Sequence, residues 1–215
     1  MSEVTAQRLA DLFAAIAQTM EREKERLCEL DGVIGDADHG IAMELGCSAA
    51  ARAVEQPDIA SSDPTTVFNT AAKSFLNAVG ASSGPLYATA FMRAGAAVKG
   101  KTVLSDGDMA DAFAAMAKGI QDRGKAEPGE KTMVDAWAPA AKAWSQEHAA
   151  GAPLAVCLSA ATEAARAGAE STKAMVASKG RSARLGDRSL GHMDPGAASA
   201  VCIIETMAKV LGNGG

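Results

Sequence analysis

Three carboxylates and an imidazole lie between positions 31 and 39 of this chain: Asp31, Asp36, Asp38 and His39. Gly32, Gly35 and Gly40 punctuate them. Glycine lets a backbone turn tightly or approach a ligand closely. Clustered carboxylate oxygens suit a hard cation such as Mg²⁺, which keeps room for water and phosphate oxygens. The residues alone equally allow a polar turn between two helices, with Asp38 capping the second. An EF-hand does not fit. The spacing departs from the 1, 3, 5 pattern, and the positions that would need the final Glu hold Ala42 or Cys47.

Three further connections carry groups that suit a phosphorylated ligand. In Gly80-Ala-Ser-Ser-Gly-Pro85, Ser82 and Ser83 precede a helix start, where backbone N–H groups are free to meet an anion. The stretch Gly124 to Thr132 leads into a helix at Met133, and a methionine beside a polar loop serves either a core or an adenine ring. The longest connection, Lys179 to Gly196, carries Lys179, Arg181, Arg184 and Arg188. In an acidic chain this excess of cations points to phosphate, although a solvated loop has the same composition. Ser105-Asp-Gly-Asp108 resembles the first acidic turn but reads as a helix cap.

The elements that must position these groups are helical. Leu9, Leu12, Phe13, Ile16, Met20, Leu27 and Leu30 recur at three- and four-residue spacing, which predicts a first helix over 3–29. A second is expected over 41–54, followed by a linker from Gln56 to Pro64. A third opens at Thr65 or Thr66, and a fourth has Pro85 in its first turn. A fifth covers 108–123. A sixth runs from Met133 to about 149, with Pro139 kinking or breaking it. A seventh runs from Pro153 to about 177. The last begins at Asp194-Pro195-Gly196 and ends near Leu211. No convincing strand is seen. The polar connections follow the first, third, fifth and seventh helices. In an up-and-down bundle such connections share one end, so the acids, serines, Thr132-Met133 and arginines should meet at one mouth.

Composition agrees. The chain has 215 residues, is 48% hydrophobic and only 4% aromatic, and much of the apolar content is Ala, the best helix former. A formal charge of −5 argues against nucleic-acid binding, which needs a basic face. Cys28, Cys47, Cys157 and Cys202 form no CxxC and read as reduced packing residues of a cytosolic protein. No signal peptide precedes Thr5, and no apolar run is long enough to span a membrane.

Four motifs then stand in order: IGDADHG at 34–40, ASSGPLYATAF at 81–91, RGKAEPGEKTMVDAWAP at 123–139 and KGRSARLGDRSLGHMDPGA at 179–197. Together they resemble the nucleotide-binding L subunit of dihydroxyacetone kinase (the DhaL family, which includes the C-terminal domain of single-chain dihydroxyacetone kinases). The resemblance covers nearly the whole chain. It implies one all-α domain over 1–215, an eight-helix antiparallel barrel with the nucleotide at one end. It implies that Asp31, Asp36 and Asp38 hold two Mg²⁺ ions that bridge the phosphates of ADP or ATP. His39, Gly40, Ser82 and Ser83 would contact phosphates, and Gly124, Thr132 and Met133 would line the adenosine pocket. Arg181 and the Asp194-Pro195-Gly196 turn would close over the nucleotide. Asp36, Asp38 and Arg181 would carry the catalysis, with Arg184 and Arg188 as less direct candidates. Two departures stand out: Ala42 replaces the usual Asn, and Ala37 replaces the commoner Gly, which reads as the milder change.

The activity implied is phosphoryl transfer to a primary hydroxyl of a short ketose, which needs positioning and charge neutralisation more than covalent help. The ketose would sit on a separate K subunit. An M subunit of the phosphotransferase system would rephosphorylate retained ADP. The alternatives are an ATP-dependent triose or tetrose kinase subunit and an ADP-loaded module that engages a transcription regulator. A cytoplasmic chain, without membrane or nucleic-acid partners and compatible with a homodimer, is expected.

Overall fold

Thr5 starts the first helix by accepting the Arg8 N–H on its hydroxyl, and α1 then runs from Ala6 to Ile34. The computed structural model describes residues 3–80 and 83–212. Among these residues, seven further long helices follow: α2 (His39–Val54), α4 (Pro64–Ala78), α5 (Ser83–Ala97), α6 (Asp106–Gly124), α7 (Val134–Ala149), α8 (Leu154–Ser171) and α9 (Pro195–Gly212). A four-residue helix, α3 (Pro57–Ala60), sits inside the linker between α2 and α4.

Each long helix packs on the next in the chain, and α9 returns to α1, so the eight form a closed ring. The Arg8 guanidinium helps to close it by donating to the carbonyls of Val210 and Leu211 at 3.3 and 3.2 Å. These are free carbonyls at a helix C-terminus, where a cation is favoured. Small residues let the Ala-rich helices approach, and aromatic side chains fill the centre. All five Phe, both Trp and the Tyr are buried. They form a continuous chain of ring contacts, from Phe68 through Phe13, Phe91, Tyr87 and Trp137 to Phe113 and Trp144.

The expected all-helical barrel is borne out, with local corrections. First, α1 continues five residues past the expected end, so Asp31 lies in its last turn rather than in a loop. Ile34 (1% exposed) stays in the core and holds that turn. Second, α8 stops at Ser171, and the chain turns through a 3₁₀ segment, Thr172–Ala174. Third, the long connection is not structureless but contains a 3₁₀ stretch from Ser182 to Ser189. Fourth, two-residue strands β1 (Val4–Thr5) and β2 (Val103–Leu104) pair antiparallel, at the end of the ring where α1 begins. Asp63, with Pro64 after it, caps α4 in place of Thr65 or Thr66, and α7 runs on through Pro139. Ser105 and Asp108 form a full capping box on α6, as expected. Cys47, Cys157 and Cys202 are buried and Cys28 half-buried, all as free thiols. Among the described residues no helix is long and apolar enough to cross a membrane.

Candidate functional site

The connections after α1, α4, α6 and α8 all open at one end of the ring, around a cavity of about 440 Å³. The first residues of four helices line it: His39 of α2, Ser83 of α5, Val134 of α7 and Pro195 of α9. Each helix start presents the positive end of a dipole, although some first-turn N–H groups are already taken by side chains such as Asp31 and Asp194, so four such starts favour an anion there.

One corner of the cavity is acidic. Asp31, Asp36 and Asp38 each bring a carboxylate oxygen within 4.8 Å of the other two. Asp31 is buried at the end of α1, and its Oδ2 accepts the N–H groups of Asp38 (2.9 Å) and His39 (3.2 Å). That carboxylate fixes the loop against the start of α2. Asp38 makes no side-chain cap on α2, so its carboxylate is available to partners outside the helix. Burial and the neighbouring charge of Asp31 push the Asp38 carboxyl upward. Gly35 fits this corner because a Cβ there would come within 2.9 Å of Asp31 Cγ and closer still to its Oδ1. Ala37 adopts φ +64°, the left-handed region that glycine tolerates best.

Arg181 reaches the same corner from the long connection. Its Nη1 donates to Asp38 Oδ2 at 3.1 Å and also pairs with Asp36. A guanidinium seated on two exposed carboxylates shows that the corner attracts positive charge. The all-oxygen donor set, with two carboxylates open to solvent, fits Mg²⁺.

His39 is neutral here, because burial pushes its imidazole down to about 4 against the opposing pull of Asp31. Its Nε2 lies 2.9 Å from Ser199 Oγ, and that hydroxyl lies 3.0 Å from the Gly196 carbonyl. A carbonyl only accepts, so the serine proton goes to Gly196 and His39 Nε2 donates to Ser199. Nδ1 is then the unprotonated nitrogen.

Much of the remaining wall is apolar. Leu86, Ile120, Ala126, Met133 and Val134 line it beside Gly124 and Thr132. Asp135 holds this wall in shape by accepting the N–H groups of Gly129 (2.5 Å) and Thr132 (2.8 Å). Asp194 also lines the cavity and is buried. It caps α9 by accepting the Ala197 N–H at 2.7 Å, and burial pushes its carboxyl up to about 7. A smaller groove of about 280 Å³ adjoins the acidic corner. It shares Asp38, His39, Ser83 and Arg181 and is floored by Ile41, Ala42, Leu45 and Val79. Ala42, where an amide was expected, offers this groove only a methyl group.

Of the residues singled out from the sequence, Asp31, Asp36, Asp38, His39, Ser83, Gly124, Thr132, Met133, Arg181, Asp194, Pro195 and Gly196 all line the one cavity. Ser82 lies outside the described residues. Gly40 does not line the cavity. A Cβ there would come within 2.8 Å of Cys28 Sγ and closer to the Lys24 carbonyl, so its lack of a side chain lets α2 lie against α1. Sequence reasoning missed Lys131, Asp135 and Ser199, since one lysine, one acid and one serine near helix starts carry no distinguishing pattern.

The DAK2 domain family matches residues 33–209. The chain belongs to this family. It is 36% identical over 203 residues to the ADP-binding subunit DhaL of a PEP-dependent dihydroxyacetone kinase of Listeria innocua, covering 94% of this chain and 92% of that one. It is 38% identical over 202 residues to the ADP-binding subunit DhaL of the PEP-dependent dihydroxyacetone kinase of Escherichia coli, covering 94% and 91%. These relatives are kinase subunits, which bears out the DhaL resemblance and the expectation of a kinase subunit. The crystal structure of the dihydroxyacetone kinase from C. freundii in complex with AMP-PNP and Mg²⁺ superposes with a TM-score of 0.72 at 25% identity. The match covers 93% of this DAK2 chain and only a third (33%) of that longer one.

Proposed function

We propose that this chain is the nucleotide-binding, phosphoryl-transferring subunit of a dihydroxyacetone kinase, a single domain that holds ADP or ATP at the mouth of the ring. The observation that carries this reading is the meeting of four helix starts, three carboxylates and an apolar slot at one cavity. Adenine would lie against Met133 and Leu86, and the phosphates would run toward Ser83, His39 and the acidic corner.

Asp31, Asp36 and Asp38 would hold two Mg²⁺ ions, which when bound would neutralise the phosphate oxygens and orient the transferred group. The chain's own residues do the rest. Asp31 fixes the loop through the N–H groups of Asp38 and His39. The half-buried, neutral His39 places a polar ring beside the helix starts without adding a charge. Arg181 supplies a permanent cation to the side where the phosphoryl group leaves, and its planar fork suits phosphate oxygens. The groove beside Asp38 and Arg181 gives an acceptor hydroxyl a way in. The ketose would arrive on a separate K subunit, a reading supported by the subunit names of the relatives. The names of the relatives support the PEP-linked form, in which an M subunit rephosphorylates ADP in place.

The test is reconstitution. The chain is mixed with a K subunit and dihydroxyacetone, and dihydroxyacetone phosphate is followed by coupled NADH oxidation. One arm receives ATP, and the other receives phosphoenolpyruvate with an M subunit and the general phosphotransferase proteins. Product in the phosphoenolpyruvate arm, dependent on this chain, is expected. Product only with ATP would assign nucleotide exchange instead. No product in either arm would overturn the reading.

A further inference from the structure

Lys131 lines the cavity yet is 1% exposed, and the nucleotide reading gives it no role. A buried lysine is rare unless its ammonium is satisfied. Here Nζ donates to the Thr172 carbonyl at 2.6 Å and to the His192 carbonyl. Those two carbonyls stand at the two roots of segment 172–194, the strap whose middle carries Lys179 and Arg181. The roots are also joined to each other. Thr172 Oγ1 accepts the Asp194 N–H at 2.9 Å, and the Gly191 N–H donates to the Lys173 carbonyl at 2.8 Å.

The residue before Lys131 continues the attachment. The Glu130 carbonyl accepts the Ser178 N–H at 3.4 Å, and its carboxylate faces Lys179 Nζ at 3.6 Å. The Lys131 backbone sits at φ +61°, a conformation disfavoured by any residue with a Cβ. That strain persists only where the surroundings over-determine it. Burial pushes the ammonium pKa down, while Asp194 and Asp135 favour its charge.

We propose that Lys131 is a positioning residue that acts through Arg181. Its buried ammonium staples both roots of the strap to the connection between α6 and α7, and so keeps Arg181 on the acidic corner and slows nucleotide escape. The inference rests on the nucleotide reading above for its second half only. The first half, the stapling of the strap, concerns the ligand-free chain.

The test compares the full-length chain with Lys131→Met and with Leu104→Ala. Leu104 is a buried residue of β2, at the end of the ring away from the site. Limited trypsin cleavage after the exposed Arg181, Arg184 and Arg188 is timed without nucleotide. Release of Mg-ADP is timed by displacing a fluorescent ADP analogue. Lys131→Met should speed both at least tenfold. Leu104→Ala, with an equal or larger fall in melting temperature, should change neither. Wild-type cleavage and release rates in Lys131→Met, or equal acceleration in Leu104→Ala, would overturn the proposal. If Lys131→Met does not fold, Lys131→Gln keeps N–H donors on a shorter, neutral side chain and is judged by the same two rates. Failure of the wild-type chain to bind Mg-ADP would refute the nucleotide reading instead, and the cleavage rates would still judge the staple.

Discussion

Gly35→Ala adds one methyl group and should dismantle the acidic corner. The new Cβ would lie 2.9 Å from Asp31 Cγ and closer to Oδ1, so the carboxylate must move. It has little freedom to do so, because Asp31 is buried and its Oδ2 is committed to the N–H groups of Asp38 and His39. Hydrogen bonds to a charged acceptor contribute about 1.5 kcal/mol or more each, so losing both costs about 3 kcal/mol. For a chain of this size about 1 kcal/mol shifts Tm by roughly 2–4 °C, which gives a fall of about 6–12 °C. The same displacement removes the buried carboxylate from its place among the three, so Mg²⁺-dependent ADP binding should weaken at least tenfold. Thermal melting and titration calorimetry read the two effects. A Gly35→Ala chain that melts within a degree of wild type and binds Mg-ADP equally well would refute the reasoning, since Asp31 would then not be fixed as described.

Two other outcomes follow from the site. Ala37 sits at φ +64°, and a left-handed residue with a Cβ costs about 1–2 kcal/mol. Ala37→Gly should therefore stabilise the chain by about 0.5–1 kcal/mol after the added flexibility of the unfolded state is counted, read as a small rise in Tm; a fall would contradict the backbone assignment. Asp194 has its carboxyl raised by burial from 3.8 to about 7, so the folded chain holds this proton more tightly than the unfolded one. The stabilising contribution is complete below about pH 4 and is lost as pH rises through 7. Asp194→Asn keeps a good helix cap without the charge. In EDTA it should melt like wild type near pH 4 and higher than wild type at pH 8, with a ceiling of roughly 4 kcal/mol for a shift of this size. A difference that does not vary with pH would refute the shift.

The helices were legible because apolar spacing, prolines and caps act locally. Ser105 and Asp108, for instance, needed no knowledge of the rest of the chain. The ends set by tertiary contacts were not legible. Residues 30–35 read as a turn, yet Ile34 reaches the core and carries α1 on to include Asp31. The stretch after Ser171 holds no breaker before Gly180, but α8 stops there. The Thr172 hydroxyl bonds back to the Ala169 carbonyl, and the Thr172 carbonyl is taken by Lys131, forty-one residues away. Most of the site was visible because its residues are concentrated in four glycine-rich connections. The polar supports behind them, Lys131, Asp135 and Ser199, became visible only once the ring had closed. Ala37 reads as a mild change in sequence, and only its φ shows that it occupies a position suited to glycine.

The central claim is that the acidic corner and the cavity together bind an adenine nucleotide through a divalent cation. Titration calorimetry with ADP, in Mg²⁺ and again in EDTA, on the wild-type chain and on an Asp36→Ala, Asp38→Ala double variant tests it most directly. Both carboxylates are exposed, and such ion pairs with Arg181 contribute about 1 kcal/mol or less, so the variant should melt close to wild type. The account predicts binding by the wild-type chain in Mg²⁺ only, and none by the folded variant. Equal affinity in EDTA, or undiminished Mg²⁺-dependent binding by the variant, would contradict it.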